Sequence, residues 1–278
     1  VIPQANITAW RAIAPWPDDA QVEQDLVLSR AVVELFAEPK LSGKIALRGG
    51  TALNKLYVQP QCRYSEDIDL VQTQGEPIGA VLDAIRGTLD RWLGKPARKS
   101  SGGNVTLSYK FESEIPPIRQ LRLKIEINTR EHFTVLGLTG YQLNIANPWF
   151  TGAAELKTYQ LDELLGTKLR ALYQRRKSRD LFDLWLCLDR DLTDPAKVVM
   201  CFDHYMKHEG HSISRAQFEQ NLHGKQNDPE FMDDISALLN PAVDYDPVKA
   251  MEIVQKVLIA RIPGEPWRGG GDGTSHGG

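Results

Sequence analysis

Two short stretches carry the residues best suited to chemistry. The first is Leu47-Arg-Gly-Gly-Thr-Ala-Leu53, where a glycine pair closes an apolar run and a helical pattern follows. Glycines between a strand and a helix let backbone N–H groups approach an anion, and a helix start favours negative charge there. Gly49, Gly50 and Thr51 are therefore candidate phosphate contacts, Thr51 adding a hydroxyl donor. Taken alone, such a pair reads as a plain tight turn.

The second stretch supplies context. In Ser65-Glu-Asp-Ile-Asp-Leu-Val71 two carboxylates alternate with aliphatics. At i and i+2 on a strand, Asp67 and Asp69 leave the same face while Ile68 and Leu70 point inward. Two carboxylates this close repel each other unless a positive group lies between them. Magnesium takes carboxylate oxygens together with substrate phosphates, and paired ions can activate an attacking oxygen and steady a leaving group. The order of the two motifs points to transfer of a nucleotidyl group from a nucleoside triphosphate. The plainer reading of the aspartates is a solvated strand face.

A third carboxylate would complete such a site. Glu126 is the candidate: Leu121, Leu123, Ile125 and Ile127 fall on one face of a strand, while Arg122, Lys124, Glu126 and Asn128 fall on the other. It could stand beside Asp67 and Asp69 if the strands are neighbours; otherwise it is a surface glutamate paired with Lys124 or Arg122.

Further along, Leu165, Leu169, Leu172 and Tyr173 form a stripe at helical spacing, with Lys168 one position off it. A lysine, a compact charge on a flexible stem, suits a triphosphate. Asp180 and Asp183 share a helical face, and surface ion pairing is their plain alternative. Lys168, Arg170, Arg175, Arg176, Lys177 and Arg179 make this the most basic part of the chain, a local phosphate track for RNA.

The elements that must position these groups follow from periodicity. Residues 19–38 and 78–93 read as helices, 44–48, 67–72, 104–111 and 121–128 as strands, and 51–57 as a helix limited by Pro60. From Leu161 the pattern is helical: 161–176, 179–188 with Ser178 as its cap, then 197–208, 215–222, 232–239 and 247–260. The expected architecture is α+β over 1–155, a helical domain over 156–265, and a disordered Gly-rich tail over 266–278.

Composition sets limits. A net charge of -3 over 278 residues gives no global case for nucleic-acid binding. Cys62, Cys187 and Cys201, an odd number without C-x-x-C spacing, suggest neither a disulfide framework nor a zinc site and fit a reducing cytoplasm. No apolar run approaches the ~20 residues of a membrane span. His204 and His208 lack a third ligand and read as surface.

Together, Leu47-Arg-Gly-Gly-Thr-Ala-Leu53, Arg63-Tyr-Ser-Glu-Asp-Ile-Asp-Leu70 and the run from Lys168 through Arg179-Asp180-Leu-Phe-Asp183-Leu184 resemble the AbiEii/AbiGii toxin family of nucleotidyltransferases, within the DNA polymerase beta-like superfamily. The resemblance spans about residues 25–190. It implies a mixed sheet with flanking helices followed by a helical C-terminal domain. It also implies Gly49, Gly50, Thr51 and Ser65 at the nucleotide, Asp67 and Asp69 on magnesium, Lys168 on the triphosphate, and Asp180 or Asp183 as the later motif acid. Glu126 comes from strand geometry, not from a family motif. Members act as toxins neutralised by a cognate antitoxin, in toxin–antitoxin or phage-defence systems, and some add nucleotides to tRNA 3′ ends and block translation. Rival readings are a nucleotidyltransferase acting on a protein or small molecule, and a non-catalytic nucleotide- or antitoxin-binding module.

Overall fold

The computed structural model describes residues 2–269. The expected tail over 266–278 lies mostly outside them. Trp267, within them, donates its backbone N–H to Glu219 at 2.7 Å and packs its ring against His223. The chain divides into two units, one of Val1–Leu164 with Leu238–Asp244, the other of Leu165–Ala237 with Tyr245–Gly278. The expected division at 155/156 falls nine residues before the first of these boundaries and does not include the return of Leu238–Asp244 to the first unit.

The first unit opens with α1 (Gln4–Trp10) and α2 (Asp19–Ala37). Asp18 caps α2 by accepting from the Ala20 N–H. Then come β1 (Ile45–Arg48), a short helical segment α3 (Gly49–Ala52) that continues as one π-type turn to Tyr57, and β2 (Asp67–Gln72). Next are α4 (Gly79–Leu93), β3 (Ala97–Ser101), β4 (Asn104–Glu112), β5 (Gln120–Asn128), β6 (Leu138–Asn147) and β7 (Phe150–Tyr159). The strands form one seven-stranded sheet in the order β3-β4-β5-β2-β1-β7-β6. It is mixed: β2 runs parallel to β5 and β1 parallel to β7, while β1–β2, β3–β4, β4–β5 and β6–β7 are antiparallel.

Alternation decides the faces. Ile68, Leu70, Leu107, Leu123, Ile125 and Ile127 are buried in one core with Leu26, Val33 and Leu35 of α2 and Leu82, Ile85 and Leu89 of α4. Burial of an aliphatic side chain contributes roughly 1.5–3 kcal/mol, so this face fixes the register. A one-residue slip of β2 would put Asp67 and Asp69 into the core.

The hairpin β6–β7 and the edge strand β3 have no counterpart in the sequence reading, nor does α1. The hairpin matters to the site because β7 flanks β1: the Thr158 hydroxyl donates to the Leu47 carbonyl at 2.7 Å, just ahead of the glycine pair.

The second unit is helical. Its elements are α5 (Leu161–Gln174, entering it at Leu165), α6 (Ser178–Asp189), α7 (Pro195–His208), α8 (Arg215–Gln226), α9 (Pro229–Asp233) and α10 (Pro247–Val257). The expected helix over 232–239 is instead α9 followed by a 3₁₀ turn at Ser236–Leu238. Ser178 is the first helical residue rather than the cap, and its hydroxyl is buried without a hydrogen-bond partner. Leu165, Leu169, Phe182, Phe202, Tyr205 and Phe218 are buried. No helix among the described residues is long and apolar enough to cross a membrane.

Candidate active site

The centre of the polar face is built by register. Asp69 lies opposite Arg48 of β1 on one side and Glu126 of β5 on the other, and Asp67 lies opposite Lys124. The two aspartates and Glu126 therefore share a face. Lys124 links them, with Nζ 3.8 Å from Asp67 and in direct contact with the Glu126 carboxylate. Arg48 is held by Glu131 at 2.5 Å.

The Gly49-Gly50 turn closes over this face. Gly49 has φ +74°, and a Cβ there would lie 2.0 Å from Asp69 Oδ2. A Cβ on Gly50 would lie 2.6 Å from Arg63 Nη2 and 2.9 Å from Ser65 Oγ. Both positions thus need glycine, the first for its backbone and for space, the second for space alone. Ser65 Oγ lies at this turn and is 3.0 Å from the Thr51 hydroxyl.

Thr51 behaves differently from its expectation. It is fully buried, and its hydroxyl donates to the Asp67 carbonyl at 2.5 Å, with Ser65 Oγ at 3.0 Å. A hydroxyl has one proton to donate, and here that proton ties the turn to β2. Thr51 positions Asp67 instead of presenting a donor outward.

Electrostatics set the character of the face. Burial, then the neighbouring charges of Asp69, Glu66 and Glu126, lift the Asp67 carboxyl to about 6 against the opposing pull of Lys124. At Asp67 three neighbouring carboxylates push the pKa up and one ammonium pulls it down. The hard carboxylate oxygens of this face suit magnesium, which is bound by one or two carboxylates plus waters and phosphates. Asp67 and Asp69 fit that donor set. Among the described residues no group of three or more His, Cys, Asp or Glu is arranged to hold a metal. Glu126 accordingly lies beside the aspartates, with Lys124 between it and Asp67, and is not drawn in with them as a third ligand.

Sequence reading assigns no role to Arg48 or Arg63, and takes Lys124 only as a surface partner of Glu126, a contact that is present. Arg63 is 2% exposed, donates from Nη1 to the Tyr64 carbonyl at 3.0 Å, and sits in the segment clamped by Leu238 and Leu239. A buried guanidinium pressed against Gly50 makes the turn positive from beneath. Its one sequence signal is an arginine between residues that bury, Cys62 and Tyr64.

In the second unit, Lys168, Asp180 and Asp183 form one buried cluster. Lys168 Nζ lies 3.2 Å from Asp180 and 2.9 Å from Asp183, and the three residues are 6%, 0% and 0% exposed. Arg175 forks onto Asp180 with contacts of 2.8 and 3.0 Å. Burial works against ionised Asp180, but Lys168 and Arg175 hold its carboxyl down at about 2. Lys225, its ammonium lowered to about 8 by burial, closes the end of α5 by donating to the Leu172 and Tyr173 carbonyls. Lys168 thus already has two carboxylate partners, and the cluster joins α5 to α6.

The basic run is not a bare phosphate track. Arg170 pairs with Glu209 and stacks on Tyr205, Arg176 pairs with Asp228, and Lys177 pairs with Asp234. With Lys168 and Arg175 engaged as above, most of its charge is met by carboxylates, the partners of Arg170, Arg176 and Lys177 coming from distant positions. His204 and His208 are exposed.

A family model described as nucleotidyl transferase AbiEii toxin, type IV TA system, matches residues 30–252. No curated protein sequence matches the chain. Among solved structures, the nucleotidyltransferase toxin MenT4 from Mycobacterium tuberculosis H37Rv aligns over 95% of this chain and 91% of its own, at 16% identity and a TM-score of 0.57. That likeness shows a shared fold. An antigenic nucleotidyltransferase-like protein from Paracoccidioides brasiliensis aligns over 76% of this chain and 93% of its own, at 17% identity and a TM-score of 0.37, too slight to carry an argument.

Proposed function

The chain belongs to the AbiEii nucleotidyl transferase toxin family, and from that premise we propose that it is a magnesium-dependent enzyme moving a nucleoside monophosphate from an NTP to an RNA acceptor, the 3′ end of tRNA. The observation that carries this reading is the packing of the Gly49-Gly50 turn against Asp69 while Glu126 stands opposite on β5. A phosphate cradle and a carboxylate face meet there at contact distance.

The acceptor's terminal hydroxyl attacks the α-phosphorus. A new O–P bond forms, the bond to the bridging oxygen of the β-phosphate breaks, and pyrophosphate leaves in line. Gly49 and Gly50 present backbone N–H groups to the triphosphate, with Ser65 at their side and Arg63 adding charge from below. Asp67 and Asp69 are the residues that would hold magnesium, which would neutralise charge developing on the phosphates. Glu126 takes the proton of the attacking hydroxyl on a carboxylate oxygen, a role that contributes about 10²–10⁴-fold elsewhere. Thr51 positions Asp67. Lys168, Asp180 and Asp183 act as positioning residues that hold α5 against α6; a direct Lys168–triphosphate contact would need that ammonium to leave two carboxylates.

Membership of a type IV toxin–antitoxin family supports an antitoxin and an NTP as partners. We assign growth inhibition to loss of chargeable tRNA ends in the cytoplasm. One observation favours a rival acceptor, a protein or small molecule: the run 168–179 is largely neutralised by ion pairs. Incubation with labelled NTP and either total tRNA or total protein decides. Label in RNA supports the proposal, and label in protein alone overturns it.

A further inference from the structure

The polar face that carries Asp67 and Asp69 continues past β5. Glu126 lies opposite Thr106 on β4, which lies opposite Lys99 on β3. Lys124 lies opposite Ser108, and Arg122 opposite Lys110. Residues opposite each other in a ladder leave on the same side of the sheet, so these side chains share the aspartates' face. A groove of about 490 Å³ runs over it, bordered by Asn104, Thr106 and Ser108 on β4. Its lining on this face holds three cations, Lys99, Arg122 and Lys124, against one carboxylate, Glu126; Arg98, opposite Leu107, leaves from the other side of the sheet. Lys99 and Arg122 are exposed, and among the described residues neither has a carboxylate partner.

Geometry gives this groove a direction. In an in-line displacement the attacking oxygen and the leaving pyrophosphate lie on opposite sides of the phosphorus. The Gly49-Gly50 turn and Arg63 pack where β1 gives way to α3, on one side of Asp69, while Glu126 lies on the other. If the triphosphate lies at the turn, the acceptor comes in over β5. We propose that the β5–β4–β3 groove holds the single-stranded 3′-terminal segment of the RNA acceptor, with Lys99 and Arg122 on the phosphodiester backbone and the β4 hydroxyls and amide on sugar and phosphate oxygens. Charge complementarity selects a polyanion over a protein segment, and the edge position of β3 leaves room for a chain to continue outward. The inference rests on the RNA reading above.

The test is binding of a fluorescent single-stranded RNA with a free 3′-hydroxyl, followed by anisotropy across a salt series, for Lys99→Glu, Arg122→Glu and the double variant. Each single change is expected to weaken binding about tenfold and to reduce the salt slope by about 0.7 per lost contact, as for single strands. NTP affinity, measured in parallel, is expected to stay at the wild-type value. Lys40→Glu, the same charge change at an exposed position outside the groove, is expected to bind RNA as the wild type does. Groove variants that bind within twofold of wild type, equal weakening by Lys40→Glu, or no RNA binding by the wild type would each overturn the proposal. Should the double variant fail to fold, the two single variants decide. The labelled-NTP assay separates the two readings: RNA labelling with unchanged groove binding sinks only the groove, and label in protein alone sinks the RNA acceptor and, with it, the groove's role.

Discussion

Asp69 fills the space that a side chain on Gly49 would take: a β-carbon on the glycine would lie 2.0 Å from Asp69 Oδ2 and 2.9 Å from Asp69 Cβ. The residue that turns the chain out of β1 is also the one that lets the central carboxylate reach the turn. One contact therefore couples the phosphate cradle to the carboxylate face.

Gly49→Ala is expected to disrupt both. Left-handed backbone at φ +74° costs a non-glycine residue about 1 kcal/mol or more, and the clash displaces Asp69. Gly43 is the control, with φ +70° and nothing within 4 Å of an added Cβ. Denaturant melts should show Gly43→Ala losing about 1 kcal/mol and Gly49→Ala distinctly more, with nucleotide transfer lost only in the latter. Equal losses of stability and intact transfer in both would contradict the coupling.

Burial and the neighbouring carboxylates disfavour ionised Asp67 in the folded protein. Its folded pKa of about 6 exceeds the ordinary value of 3.8, so the folded protein holds that proton more tightly than the unfolded chain. The contribution is favourable below about pH 4 and is lost as pH rises through 6. Asp67→Asn should therefore gain up to about 3 kcal/mol at pH 8 in chelator, while abolishing transfer. Magnesium with NTP should raise the wild-type melting temperature and leave the variant unmoved. A variant less stable than wild type at pH 8 would count against the electrostatic account.

Much of this was readable in the residues. The Gly49-Gly50 turn, β2 and β5 announce themselves through punctuation and strict alternation, and Glu126 lies on the face that alternation assigns it. That Glu126 stands opposite Asp69 depends on β2 and β5 being parallel neighbours, a long-range pairing with no local signal. The β6–β7 hairpin had a signal in the alternation of Tyr141, Leu143 and Ile145, diluted by Gly140, Asn144 and Asn147 in strands exposed along much of their length. The basic run misleads for a related reason. Its partners Glu209, Asp228 and Asp234 lie 39, 52 and 57 residues away from Arg170, Arg176 and Lys177.

Lys168 tests whether the second cluster is a scaffold. Lys168→Met leaves two solvent-free carboxylates short of a cation, a change that costs about 3–5 kcal/mol for buried pairs. Lost activity with unchanged stability would instead mark a triphosphate ligand.

Acid should weaken the same cluster. Asp180 has a folded pKa of about 2, below its ordinary 3.8, so its contribution is complete above about pH 4 and drains away as pH falls toward 2. Its size is roughly 2 kcal/mol. Denaturant midpoints between pH 5 and pH 2.5 should fall less steeply for Asp180→Asn than for wild type.

The central claim is nucleotide transfer by the Asp67–Asp69 face. The most direct measurement incubates wild type and Asp69→Ala with total tRNA, magnesium and each labelled NTP in turn, with far-ultraviolet circular dichroism to establish that both are folded. Wild type should label RNA 3′ ends with at least one nucleotide, and folded Asp69→Ala should label none. Full labelling by Asp69→Ala would contradict the account.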